Sequence, residues 1–103
     1  MNILLVCFSG MSTGIMSIRM KEAAKKSGLE INVKAVPVSE AENHLEFADA
    51  VLIGPQLKYA LSDITQTIAD AGKKIPVVCI SPKDYGIMNG EKVLKDLLEF
   101  ISH

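Results

Sequence analysis

Tryptophan is missing from this chain, and aromatic residues of every kind make up only 5 % of its 103 positions. A core without large rings has to be filled by Val, Ile, Leu, Ala and Met, and these are plentiful, since 49 % of the chain is hydrophobic. A basic excess is missing too. Eleven Lys and Arg face twelve Asp and Glu, for a formal net charge of −1. Nothing is left over to neutralise a run of phosphates, so nucleic acid is not an expected partner. No apolar run approaches the roughly 20 residues that a membrane helix needs, so direct insertion is not expected. No cationic stretch precedes the apolar residues 3–6, which are too few for a signal-peptide core. A cytoplasmic location is the expectation. Cysteine is scarce: Cys7 and Cys79 lie far apart and lack Cys-x-x-Cys spacing. They read as thiols rather than as a disulfide, a zinc site or a dithiol redox pair. No metal or cofactor is expected. The length suits one domain, residues 1–103, and a monomer fits the size.

What is present alternates between two patterns. Residues 3–6 are a short, wholly apolar run closed by a Gly/Ser loop, as in a strand buried on both faces. A helix is expected from about Ser12 or Thr13, both good N-caps. Ile15, Met16, Met20, Ala23 and Ala24 supply its apolar side, Arg19, Lys21, Lys25 and Lys26 its wet side, and Gly28 its stop. Residues 31–36 alternate apolar and polar like a half-exposed edge strand, ended by Pro37. Ser39-Glu40-Ala41-Glu42 reads as a capping box opening a short helix to about Phe47. Residues 50–53 form a second apolar strand. Leu57, Leu61, Ile64, Ile68 and Ala71 recur at helical spacing, with Gly72 and Pro76 bracketing the end. Residues 76–80 read as a fourth strand and 81–89 as a loop. Val93, Leu94, Leu97, Leu98 and Ile101 predict a last helix over about residues 90–102. The order βαβαβαβα predicts an α/β fold: a single three-layer, doubly wound domain with a four-stranded parallel sheet, order 2-1-3-4, and helices on both faces. Low-molecular-weight cysteine phosphatases have a similar architecture.

In such sheets ligands sit beyond the carboxyl ends of the strands, where the strand order reverses. For order 2-1-3-4 that is between the first and third strands, where residues 7–13 meet residues 54–56, with the loop 81–89 alongside. The first loop joins a strand to a helix N-terminus, where unpaired N–H groups and the positive end of the helix dipole favour an anion. Gly10 allows close backbone approach, and Ser9, Ser12 and Thr13 add hydroxyl donors. Cys7 faces this cradle, and the amides should favour its thiolate, a nucleophile for phosphorus. The loop is neither a Walker A nor a dinucleotide-binding loop, because the required Lys and glycines are absent. A cysteine phosphatase would need an arginine six positions after the nucleophile to clamp the transition state, and that position is Thr13. Asp84 is the one nearby candidate for the acid of a hydrolytic cycle. A slowly hydrolysed phosphocysteine suits a carrier. The rival reading is a small cysteine phosphatase or an arsenate-reductase-like enzyme.

The run Cys7-Phe8-Ser9-Gly10-Met11-Ser12-Thr13 resembles the Cys-x-x-Gly-Met-Ser-Thr motif of cytoplasmic enzyme IIB of the bacterial sugar phosphotransferase system, lactose/cellobiose/chitobiose family. Gly54-Pro55-Gln56 with Tyr59 is similar to the family's Gly-Pro-Gln-x-x-Tyr segment, and Tyr85-Gly86 with Gly90 to its Tyr-Gly-x-x-x-Gly stretch. The resemblance covers essentially the whole chain. It implies that a phosphohistidine on a IIA partner donates to Cys7, and that Cys7 passes the group to a (di)saccharide bound by the membrane component IIC, which recruits the protein to the membrane. It also implies that Phe8, Ser9, Gly10, Met11, Ser12, Thr13 and Gly14 surround the phosphate. Two departures stand out: Phe8-Ser9, where relatives often carry Ser-Ala, and Gly14, where many carry Ser. Gln56, Tyr59, Asp84 and Tyr85 are candidates for the rim or for partner docking. Arg19, Lys58 and Lys83 read as solvated charges, and Cys79 as an inert thiol in a central strand.

Overall fold

The computed structural model describes residues 1–7 and 11–102, the side chains of residues 11–13 excepted. Strand β1 (Asn2–Cys7) is followed by α1 (Met11–Lys26), β2 (Asn32–Pro37), a 3₁₀ helix (Val38–His44) and β3 (Ala50–Ile53). A second 3₁₀ helix (Pro55–Ala60), α2 (Leu61–Asp70), β4 (Val77–Cys79), α3 (Pro82–Gly86) and α4 (Gly90–Ser102) complete the chain. The four strands are parallel in the order β2-β1-β3-β4, as the alternating pattern requires.

Alternation along the two central strands sorts the core into two clusters, one on each face of the sheet. Ile3, Leu5, Ala50 and Leu52 pack with Met16 and Met20 of α1, Tyr85 of α3, and Val93, Leu94 and Leu97 of α4. Leu4, Val6, Val51 and Ile53 pack with Ala41 and Leu45 of the first 3₁₀ helix, Leu57 and Ala60 of the second, and Ile64 and Ile68 of α2. The central strands are wholly apolar because both of their faces are covered. At about 1.5–3 kcal/mol for each fully buried Leu or Ile, they are the anchor of the fold. β2 alternates between exposed and half-buried positions up to Ala35, as an edge strand should, and buries Val36 near its end.

Helix stops behave as the glycines predict. After α1, the Leu29 amide donates to the Ala24 carbonyl at 2.8 Å and the Gly28 amide to the Lys25 carbonyl at 3.2 Å, with Gly28 at φ +73°. The pattern repeats after α2, with Gly72 at φ +72° and the Lys73 amide on the Ile68 carbonyl at 3.1 Å. Both are Schellman stops, for which glycine pays no Cβ penalty.

Five expectations need correction. The capping box at Ser39 does not form. The helix there starts two residues earlier than a Ser39 cap would place it, at Val38, with extended Pro37 as its N-cap and no side-chain cap; Ser39 is thus inside the first turn, and the segment is 3₁₀. The helix expected from Leu57 is divided, because Leu57 (φ −107°, ψ 19°) leaves the helical range while burying its side chain. Residues 81–89 are not all loop: Ser81 Oγ accepts the Asp84 amide at 3.1 Å and opens α3, with Pro82 in its first turn. Ile15 is 50 % exposed, on the solvent side of α1. Cys79 lies half-buried on edge strand β4, not in the centre of the sheet.

Candidate functional site

The carboxyl end of β1 lies where the strand order reverses, between β2 and β3. Cys7 is its last residue, in register with Pro37 at the end of β2. Its side chain is 3 % exposed, and its thiol donates to the Val36 carbonyl oxygen at 3.4 Å. Neither cysteine takes part in a disulfide.

Helix α1 begins at Met11, four positions after Cys7. Its first turn holds no acidic residue, while Lys25 and Lys26 sit in its last turn. No carboxylate of its own therefore opposes an anion at the positive end of the dipole. Phe8, Ser9 and Gly10 lie outside the described residues, as do the side chains of Met11, Ser12 and Thr13. Gly14 is in the helix, and a β-carbon added to it would meet nothing within 4 Å.

The loop after β3 reaches the end of β1 through its backbone. The Gly54 amide donates to the Val6 carbonyl at 3.1 Å, one residue from Cys7. A β-carbon at position 54 would lie 3.2 Å from Gln56 Oε1 and 3.6 Å from Tyr85 Cε2. Gln56 and Tyr85 thus converge on Gly54 from the second and third loops. Tyr59 is 71 % exposed and lines a groove of about 260 Å³ with Val38, Glu42, Leu45 and Asp63, on the α2 side of the sheet. Tyr85 packs on the α1 side and is 8 % exposed, so it is a buried wedge rather than a rim residue. The Asp84 side chain is 14 % exposed and its carboxylate lies 3.8 Å from Lys92 Nζ. Lys92 is held above its ordinary pKa of 10.5, first by its hydrogen bond to Asp96 at 2.6 Å and further by the charges of Asp96 and Asp84.

Arg19 escaped sequence reasoning. It is exposed, but it is also tied down: its Nη1 donates to the carbonyl oxygens of Ile87 at 3.2 Å and Met88 at 3.1 Å. Its partners are main-chain groups far along the chain, so no residue pattern announces them.

Among the described residues no helix is long and apolar enough to cross a membrane. The model of the family "PTS system, Lactose/Cellobiose specific IIB subunit" matches residues 2–96. The chain belongs to this family. The oligo-beta-mannoside-specific EIIB component of Bacillus subtilis is 39 % identical to this IIB chain over 99 residues, covering 96 % of the chain and 94 % of that protein. The solution structure of the cellobiose-specific IIB component from Borrelia burgdorferi is 35 % identical, with a TM-score of 0.73 over 92 % of this chain and 85 % of that one. The lactose-specific IIB domain from Streptococcus pneumoniae is 14 % identical and shares the fold, with a TM-score of 0.82 over 96 % of this chain and 95 % of that one. The role of this IIB chain is sugar phosphotransfer, and the hydrolytic alternative is not favoured. IIB components work with IIA and IIC partners in general.

Proposed function

We propose that Cys7 is the phosphoryl acceptor of this IIB protein, with the backbone of residues 8–14 as the phosphate cradle. The observation that carries this reading is the position of Cys7: last residue of the central strand, at the strand-order reversal, ahead of a helix whose first turn carries no acidic side chain. In the first step the thiol proton passes to a base and the thiolate attacks the phosphorus of a phosphohistidine on a IIA partner. The S–P bond forms as the N–P bond breaks, and the imidazole nitrogen keeps the electron pair. In the second step a hydroxyl oxygen of a (di)saccharide held by the membrane component IIC attacks the same phosphorus. The O–P bond forms, the S–P bond breaks, the thiolate returns, and the hydroxyl proton passes to a base. Docking on IIC brings the protein to the membrane.

Hydrolysis is disfavoured by the chemistry of this chain. Position 13 is threonine instead of the arginine that would clamp a hydrolytic transition state. The one candidate acid, Asp84, is engaged by Lys92. The test is a phosphorelay from a phosphorylated IIA protein, read by intact-protein mass. One phosphoryl group is expected on the native chain and none on Cys7→Ser; a gain that survives the substitution removes Cys7 from the reaction. Steady turnover of an aryl phosphate would overturn the carrier reading.

A further inference from the structure

Helix α1 is tied to the third loop at two points. At the first, Arg19 Nη1 donates to the carbonyls of Ile87 and Met88. Ile87 is the C-cap residue of α3 and Met88 follows it, so the cation from α1 binds the turn that leaves α3, where the Met88 carbonyl also accepts the Gly90 amide at 3.0 Å. Met88 holds φ at +51°, a left-handed conformation that a side chain adopts only under constraint. At the second point Gly90 lies against the α1 backbone: a β-carbon there would stand 2.6 Å from Arg19 C and 2.6 Å from Met20 N.

The other end of this loop leads back to Cys7. Tyr85 is buried beside Gly54, and the Gly54 amide is bonded to the Val6 carbonyl. A chain of contacts therefore runs from the end of β1 through Gly54, Tyr85, α3 and Arg19 into α1, which begins four positions after Cys7 in the sequence. The apolar contacts of Met16 and Met20 and the close approach of Gly90 hold α1 against the sheet and α4. The hydrogen bonds of Arg19 to fixed carbonyls add a directional constraint along the helix axis. A helix is stiff along its axis, and Arg19 stands about 12 Å from its first residue at 1.5 Å per residue. A shift at Arg19 is thus carried undiminished to the first-turn amides.

We infer that Arg19 is a positioning residue for the phosphate site: through its bonds to the Ile87 and Met88 carbonyls it sets the axial position of α1, and with it the amides that receive the anion. This rests on the proposed cradle at residues 8–14. Inorganic phosphate is titrated into ¹⁵N-labelled native protein, Arg19→Met, Arg19→Gln and Lys21→Met, reading the amide shifts of residues 11–14, with melting temperatures measured in parallel. Native protein shows saturable shifts. Both Arg19 variants bind phosphate about tenfold more weakly, the loss of one well-aligned hydrogen bond to the anion. Lys21→Met, which removes an equal charge at a similar height on α1, stays within about twofold. Two side chains at position 19 keep the test open if one variant does not fold. A fall in melting temperature with phosphate affinity unchanged would reduce Arg19 to a structural brace and overturn the inference. Equal weakening in Lys21→Met would assign the effect to charge and overturn it too. Absence of saturable shifts in the native protein is the separate signature of a failed cradle.

Discussion

The Cys7 thiol donates to the Val36 carbonyl oxygen at 3.4 Å, joining the end of β1 to its neighbour β2. A thiol can make this bond and a thiolate cannot. Serine at position 7 keeps the donor and removes the nucleophile that the proposed transfer needs. Cys7→Ser should therefore change stability by less than about 1 kcal/mol, measured by urea denaturation, while phosphoryl acceptance read by mass is lost. A large loss of stability would show that the sulfur itself, rather than its hydrogen bond, holds this corner.

Two glycines in helices should respond with opposite signs to alanine. At Gly90 the new β-carbon would meet helix backbone at 2.6 Å, so α1 and α4 must separate. Overpacking of this kind costs about 1–3 kcal/mol. At Gly14 there is open space, and alanine should stabilise by up to about 1 kcal/mol through helix propensity. Denaturant midpoints decide both, and a neutral Gly90→Ala would mean that the two helices are less tightly apposed than described.

The Schellman stops give a third test. Gly28 and Gly72 hold φ near +73° and +72° with no steric neighbour, so the penalty for a side chain there is purely conformational. Alanine at either position should cost about 1–2 kcal/mol, and asparagine less, because its short polar side chain tolerates the left-handed region. Thermal melts of the four variants check the ranking.

Lys92 supplies a pH-dependent one. Its hydrogen bond to Asp96 comes first among the causes that raise its pKa above 10.5 in the folded protein. A raised pKa on a cation means stability that is complete below the unfolded value and disappears as the pH climbs through the folded value. Asp96→Asn should move the Lys92 titration midpoint, followed by NMR, back toward 10.5 and flatten the alkaline end of the melting profile. An unmoved midpoint would transfer the effect to Asp84 and the other nearby carboxylates.

The site was only partly legible beforehand. Cys7 and the loop at Gly54 stand at a strand-order reversal that the alternation of strands and helices is enough to locate. Gln56 and Tyr85 do approach that place, but Tyr59 turns to the opposite side of the sheet and Tyr85 is buried. Burial and direction depend on which helix covers which face, and for an isolated tyrosine beside a turn no spacing encodes that. Arg19 looked like any exposed cation, because its acceptors are carbonyls 68 and 69 positions away.

The order of the four strands, the parallel sheet and both glycine stops were determined by the sequence alone, because apolar periodicity and the freedom of glycine at positive φ act over a few residues. The 3₁₀ start at Val38, the break at Leu57, the thiol on the Val36 carbonyl and the contact of Gly90 with α1 were decided only by the tertiary structure. Each depends on backbone groups that become neighbours when distant segments pack, and the geometry of that packing is a property of the whole chain.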